Sequence, residues 1–152
     1  MQAQTNSKFG HVDSKSLHQL MPETAKAEKD MQLLQTQLEG RLKELTDGYQ
    51  LEIAKFQALP SETPVSTVND MRDGIMGIEK RIQDFQVNAE QDMVTKREQL
   101  LTPIVTKLQD AINAVGEENG FTYVFDSSTG AIVYQGGEDI APLVKTKLGI
   151  TG

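Results

Sequence analysis

Two histidines, His11 and His18, are the residues of this chain best suited by type to ligate a metal or to move a proton near neutral pH. That chemistry needs company: a carboxylate to orient the ring, or further His and Cys at ligand spacing. Neither surrounds them, so both read as solvent-facing or packing residues. Ser127 and Ser128 lack the G-x-S-x-G turn that would expose a nucleophile and read as turn residues. Gly136 and Gly137 follow an apolar run but open no phosphate-binding loop; the pair reads as a turn before a helix capped by Asp139. The chain has no Cys, hence no thiolate nucleophile, thiolate metal site or disulfide. Its carboxylates alternate with cations at helical spacing, as in Glu39 with Lys43 and Asp92 with Lys96, the pattern of a solvated face. The expectation is a protein with no catalytic residues, metal or cofactor, and therefore not an enzyme.

The elements that carry these residues are mostly helices. With 38% hydrophobic and 5% aromatic residues in 152, the chain is lean for a single large core. Its 22 acidic and 15 basic residues give a net charge of -7, which disfavours nucleic acid, whose binding needs clustered Lys and Arg. No apolar stretch approaches the roughly 20 residues of a membrane span. Met1 to Ser7 show no apolar core of an export signal, as would also hold for a chain whose signal has been removed. Residues 1–8 are expected to be disordered, Phe9 to Val12 to form a strand, and "SKSLHQLM" a short helix capped by Asp13 or Ser14. Pro22 suits the first turn of a long helix reaching Leu59. A second helix runs from Pro64 or Ser66 to Val115, with Thr63 as its cap.

An apolar stripe ties the two helices together. In the first it runs Met31, Leu34, Leu38, Leu42, Leu45, Tyr49, Ile53, Phe56, and in the second Met71, Ile75, Ile78, Ile82, Phe85, Ala89, Met93, continuing to Val115. If the chain folds back at residues 59–66, Met31 meets Met93, Leu42 meets Ile82, Tyr49 meets Ile75 and Ile53 meets Met71. One register satisfies the whole stripe, which predicts an antiparallel helical hairpin with a coiled-coil-like seam. The first stripe repeats every eleven residues, so the seam should be nearly straight or slightly right-handed. Gly48 and Gly77 fall at nearly one level, with Gly40 and Gly74 close by. Each costs about 1 kcal/mol of helix propensity relative to Ala, and they read either as sites of close helix packing or as a hinge. Pro103 should kink the second helix.

The chain ends in a different idiom. In "FTYVF" Phe121, Tyr123 and Phe125 share one face, and "AIVYQ" alternates in the same way around Ile132 and Tyr134, so the two read as strands about a Ser-Ser-Thr-Gly turn. With Phe9 to Val12 they would make a three-stranded sheet too small to cover its own edges. Other copies of the chain would then complete it, closing the sheets into a shared barrel or sandwich. Phe9, Val12, Phe121, Tyr123, Phe125, Ile132 and Tyr134 are the candidate oligomerisation residues. The fold class is α+β and mostly helical: a long hairpin arm over residues 22–115, and a small β body from residues 9–21 and 116–152 that oligomerises into a barrel.

The strand "KFGHVDS", the hairpin, and the run "LLTPIVTKLQDAINAVGEENGFTYVFDSSTGAIVYQGGEDIAPLVKTKLGI" closely resemble the Skp/OmpH family of periplasmic chaperones, in particular its shorter acidic versions from Bacteroidetes-like bacteria. The resemblance implies a homotrimer with a β-barrel body and helical tentacles, an ATP-independent holdase for unfolded outer-membrane or envelope proteins, and a periplasmic location. The best-known members are basic, whereas at -7 this chain lacks the positive field that would attract acidic clients, lipopolysaccharide or an anionic membrane surface at long range. Apolar positions off the seam, Leu33, Leu51, Val87, Val94 and Leu101, are the candidate client contacts, and each is read equally well as a scattered surface residue. The competing function is a structural or adaptor coiled-coil protein that binds a folded partner.

Overall fold

Proline and short capping side chains punctuate the chain. The computed structural model describes residues 7–150. Its elements run β1 (Phe9–Val12), α1 (Ser14–Leu20), α2 (Pro22–Gln57), α3 (Val65–Glu118), β2 (Tyr123–Asp126), β3 (Glu138–Asp139) and α4 (Ala141–Leu148). Residues 1–6 of the expected disordered segment lie outside the described residues. Lys8, included in that segment, is held: its amide donates to Thr122 Oγ1 at 3.2 Å and its carbonyl accepts from the Thr122 amide at 2.7 Å.

Asp13 is the N-cap of α1, its carboxylate accepting from the Ser16 amide at 2.8 Å and the Ser16 hydroxyl at 2.7 Å. Met21 ends α1 in an extended conformation, as the residue before a proline must, and Pro22 opens α2 where no amide is needed. At 1.5 Å per residue, the 36 residues of α2 and 54 of α3 extend about 54 and 81 Å. Between them Thr63 behaves differently from expectation. Its hydroxyl donates back to the Pro60 carbonyl at 2.7 Å, closing the tip turn, and the Pro64 carbonyl accepts the first bond of α3 from Val68. Pro103 sits within an uninterrupted α3.

The chain divides into two compact units, and the division falls inside the long helices: residues up to Lys29 with those from Glu98 onward form the body, and Asp30–Arg97 the arm. The reason is packing. Ala27 from α2 and Ile104, Leu108, Ala111 and Val115 from α3 belong to the core formed with Val12, Leu17, Met21, Ile140 and Val144. The largest fully buried side chains, Leu17, Met21, Ile140, Val12 and Val144, are each worth about 1.5–3 kcal/mol in apolar area removed from water. Gly10 is required on the inner face of β1, because a Cβ there would stand 2.9 Å from the Phe121 ring and 3.1 Å from Ile140.

The body sheet has the order β2-β1-β3, with both pairs parallel. This corrects the expected hairpin. Residues 131–135 form no strand; instead Asp126 caps a 3-10 turn over Ser127–Thr129, Gly130 leaves it in the left-handed conformation, and the chain crosses β1 to pair Glu138 and Asp139 on its far side. A hairpin would have run antiparallel and placed its second strand next to β2, whereas here β1 occupies that position. Phe121 also lies outside β2 and packs against the core rather than sharing a face with Tyr123 and Phe125. The α4 cap is shifted by one: Ile140 holds the cap position, while the Asp139 carboxylate accepts from the Ala141 amide at 2.9 Å.

In the arm the stripe appears as expected. Every stripe residue from Met31 to Phe56 and from Met71 to Met93 is at least half-buried, between exposed polar neighbours. The exposed face carries ion pairs at helical spacing, Arg41 with Glu44, Lys43 with Asp47, Lys55 with Glu52 and Lys80 with Asp84, worth a few tenths of a kcal/mol each. Lys43 thus turns to Asp47 rather than to Glu39, whose carboxylate accepts from Gln35 Nε2. Across the hairpin, the Tyr49 hydroxyl donates to Glu79 at 2.6 Å.

Candidate binding surfaces

The body presents an aromatic ladder. The parallel register sets Phe9 opposite Tyr123 and His11 opposite Phe125, so these side chains share the face away from Gly10, Val12 and Val124. The rings of Phe9, Tyr123 and Phe125 stack with centroids 6.0–6.3 Å apart. All three stay exposed, at 48%, 60% and 48%. Three aromatic rings stacked in water on a three-stranded sheet form a contiguous apolar patch, and such patches mark contact surfaces. Tyr134 and Val133, on the crossing segment, are also exposed, and Ile132 is half-buried. Two oligomerisation candidates sit elsewhere: Val12 is buried in the chain's own core, and Phe121 is half-buried beneath Lys8, whose ammonium lies 3.9 Å from the ring centroid.

The arm presents a groove. Along part of the hairpin the seam stays open, leaving a cleft of about 710 Å³ between α2 and α3. Leu38, Leu42, Phe85, Ala89, Met93 and Val94 form its apolar wall, with Glu39 and Glu90 on the rim. Of the client-contact candidates only Val94 lines this groove. Leu33, Leu51 and Val87 are exposed on the helices and Leu101 is half-buried. The sequence missed the groove because five of its six apolar wall residues, Leu38, Leu42, Phe85, Ala89 and Met93, belong to the stripe itself. A stripe shows which residues face the partner helix but not how closely the two backbones approach.

Polar clusters in the body support structure. Asp126 ties three elements together: its carboxylate accepts from the Ser14 hydroxyl at 2.5 Å, the Ser14 amide at 3.3 Å and the Ser128 amide at 2.9 Å. Burial opposes its charge, but these hydrogen bonds together outweigh burial and hold the carboxyl below its ordinary range. Glu23 is likewise lowered, chiefly by its hydrogen bond from Lys107. His11 lies on β1 and His18 in the last turn of α1. Among the described residues no group of three or more His, Asp or Glu is disposed to hold a metal ion. No helix among them is long and apolar enough to cross a membrane.

Residues 8–148 match the family described as Outer membrane protein (OmpH-like). The chain belongs to that family. OmpH-like proteins are periplasmic chaperones of the Skp/OmpH kind, a family of chaperones rather than of enzymes. Comparison with curated protein sequences finds no match. Within this OmpH-like chain, the arm glycines do not serve close packing: a Cβ on Gly40, Gly48, Gly74 or Gly77 would meet nothing within 4 Å. The two helices of the arm therefore do not need these glycines in order to approach each other.

Proposed function

We propose that this chain is an ATP-independent holdase that keeps unfolded outer-membrane or envelope proteins from aggregating in the periplasm. The observation that carries the reading is the open seam of the arm, an apolar cleft between two long helices. An unfolded chain offers apolar segments at irregular spacing. Many weak contacts of this kind, gathered by several arms, bind through effective concentration while each remains quick to release, so no nucleotide is needed. The aromatic ladder on the body supports the gathering step: Phe9, Tyr123 and Phe125 are the surface on which three copies would close their sheets, with Tyr134 and Ile132 of the crossing segment as further candidates. Gly48 and Gly77 are the points at which an arm would flex around clients of different size.

The test is the aggregation of a urea-denatured outer-membrane barrel protein diluted into buffer without ATP. Near-stoichiometric trimer should suppress light scattering. Undiminished scattering, together with tight binding of one folded envelope protein, would instead support the adaptor reading.

A further inference from the structure

We infer that the arm groove selects apolar segments bearing Lys or Arg. This inference rests on the holdase reading and names its class of client segment. The groove has an apolar wall of six side chains and two carboxylates on its rim, and no cation lines it. Neither carboxylate is neutralised by its own helix. The positions three and four residues either side of Glu90 hold Gln86, Val87, Met93 and Val94, none of them basic. The one cation at such a position from Glu39 is Lys43, which pairs with Asp47 at 2.5 Å, while nearby Arg41 pairs with Glu44 at 2.7 Å. Gln35 donates to one oxygen of Glu39, leaving the carboxylate its charge.

A segment entering this cleft buries apolar side chains against Leu38, Leu42, Phe85 and Met93, and its flanks then stand beside two uncompensated negative charges. Lys and Arg meet that requirement, because their aliphatic stems cover apolar wall while the charged head reaches the rim. An acidic flank is repelled. The volume of about 710 Å³ lies within the span of roughly 300–1,000 Å³ typical of ligand sites. Its α3 wall, Phe85 to Val94, runs about 14 Å, the length of roughly four extended residues. The occupant is therefore a short cationic-apolar segment of an unfolded polypeptide, and the net charge of -7 favours such segments at long range as well.

Fluorescence anisotropy on the full chain tests this with two labelled twelve-residue peptides rich in Leu and Phe, one carrying Lys and the other Glu at the same positions. The Lys peptide should bind about fivefold more tightly at low salt, the sum of two exposed charge contacts, and the preference should shrink at high salt. The double substitution Glu39→Gln and Glu90→Gln, isosteric and at exposed positions, should erase the preference while circular dichroism stays unchanged. Ala89→Trp, which fills the cleft, should weaken both peptides. Equal binding of the two peptides, or a preference that survives the double substitution, overturns the inference. The aggregation assay on the same samples separates this result from the broader reading. Suppression without charge preference overturns the selectivity alone, whereas preference without suppression supports the selectivity and overturns the holdase.

Discussion

Body and arm are built from the same kinds of apolar residues at the same helical spacing, yet they bury them to different depths. In the body, Val12, Leu17, Met21, Ile140 and Val144 are exposed by 2% or less; in the arm only Ile75, at 9%, is buried. The cause is the number of layers. Body helices close on a sheet face and on one another, so each side chain is enclosed from several directions. An arm helix has one partner, and a stripe pressed against a single helix keeps a flank in water. Tertiary packing thus stabilises the body, while the arm depends more on helix propensity and exposed ion pairs. Rigidity is concentrated where copies would assemble, and apolar surface is left accessible where clients would bind.

Truncating one aliphatic side chain in each unit gives the largest contrast. Ile140→Ala should cost about 2–4 kcal/mol in urea unfolding because it opens a cavity in an enclosed core, whereas Leu42→Ala, on the groove wall, should cost about 1 kcal/mol. Equal losses would mean that the arm seam is as tightly closed as the body core. Next come Phe125→Asp and Tyr123→Asp. Each places a charge on the exposed ladder, so the protomer should keep its circular dichroism while light scattering reports a mass fallen to that of one chain. An unchanged mass would put assembly on another surface.

Smaller effects follow in the arm backbone. Gly48→Ala and Gly77→Ala meet no neighbouring atom and should each stabilise the arm by about 1 kcal/mol, read as slower amide exchange in residues 44–52 or 73–81 with body exchange unaltered. If the glycines act as a hinge, the same variants should hold bulky clients less well.

The smallest effect is on pH. Asp13, whose carboxylate accepts from the Ser16 amide, and Glu23 and Asp126 all have lowered carboxyls. Their ionised forms favour the folded body, so this stability is fully present above the ordinary carboxylate range near pH 4 and is lost as pH falls through the lowered values. Tyr49 behaves oppositely, its hydroxyl raised by the bond it donates to Glu79. That arm contribution is present below about pH 10 and is lost as pH rises through the raised value. Amide exchange should therefore loosen first in the body on acidification and near Tyr49 in strong base. Glu62, lowered by its neighbour Ser61, affects only the tip turn.

The helices were legible in the sequence because a stripe, two flanking prolines and a cap encode them locally. β1 was legible for the same reason. The rest depended on partners far along the chain. "AIVYQ" has the alternation of a strand but no free neighbour on β1, and the strand that does pair there, Glu138–Asp139, is two acidic residues without any strand pattern. Phe121 has the spacing of the ladder residues, yet it precedes β2 and turns into the core under Lys8. The arm groove was hidden for another reason, since most of its apolar wall, Leu38, Leu42, Phe85, Ala89 and Met93, has the spacing of a seam.

The central strand sets an order on folding. β1 is made first, but its sheet neighbours begin at Tyr123 and Glu138, and Ser14 finds Asp126 only 112 residues later. Contacts of such separation form late because the intervening chain must first be closed into a loop. While the chain is still being synthesised or translocated, α2 and α3 can already fold from local signals, and β1 waits without a partner. The body closes last, after nearly the whole chain has appeared. A truncated product therefore carries helical arm but lacks the three-stranded sheet and its aromatic ladder.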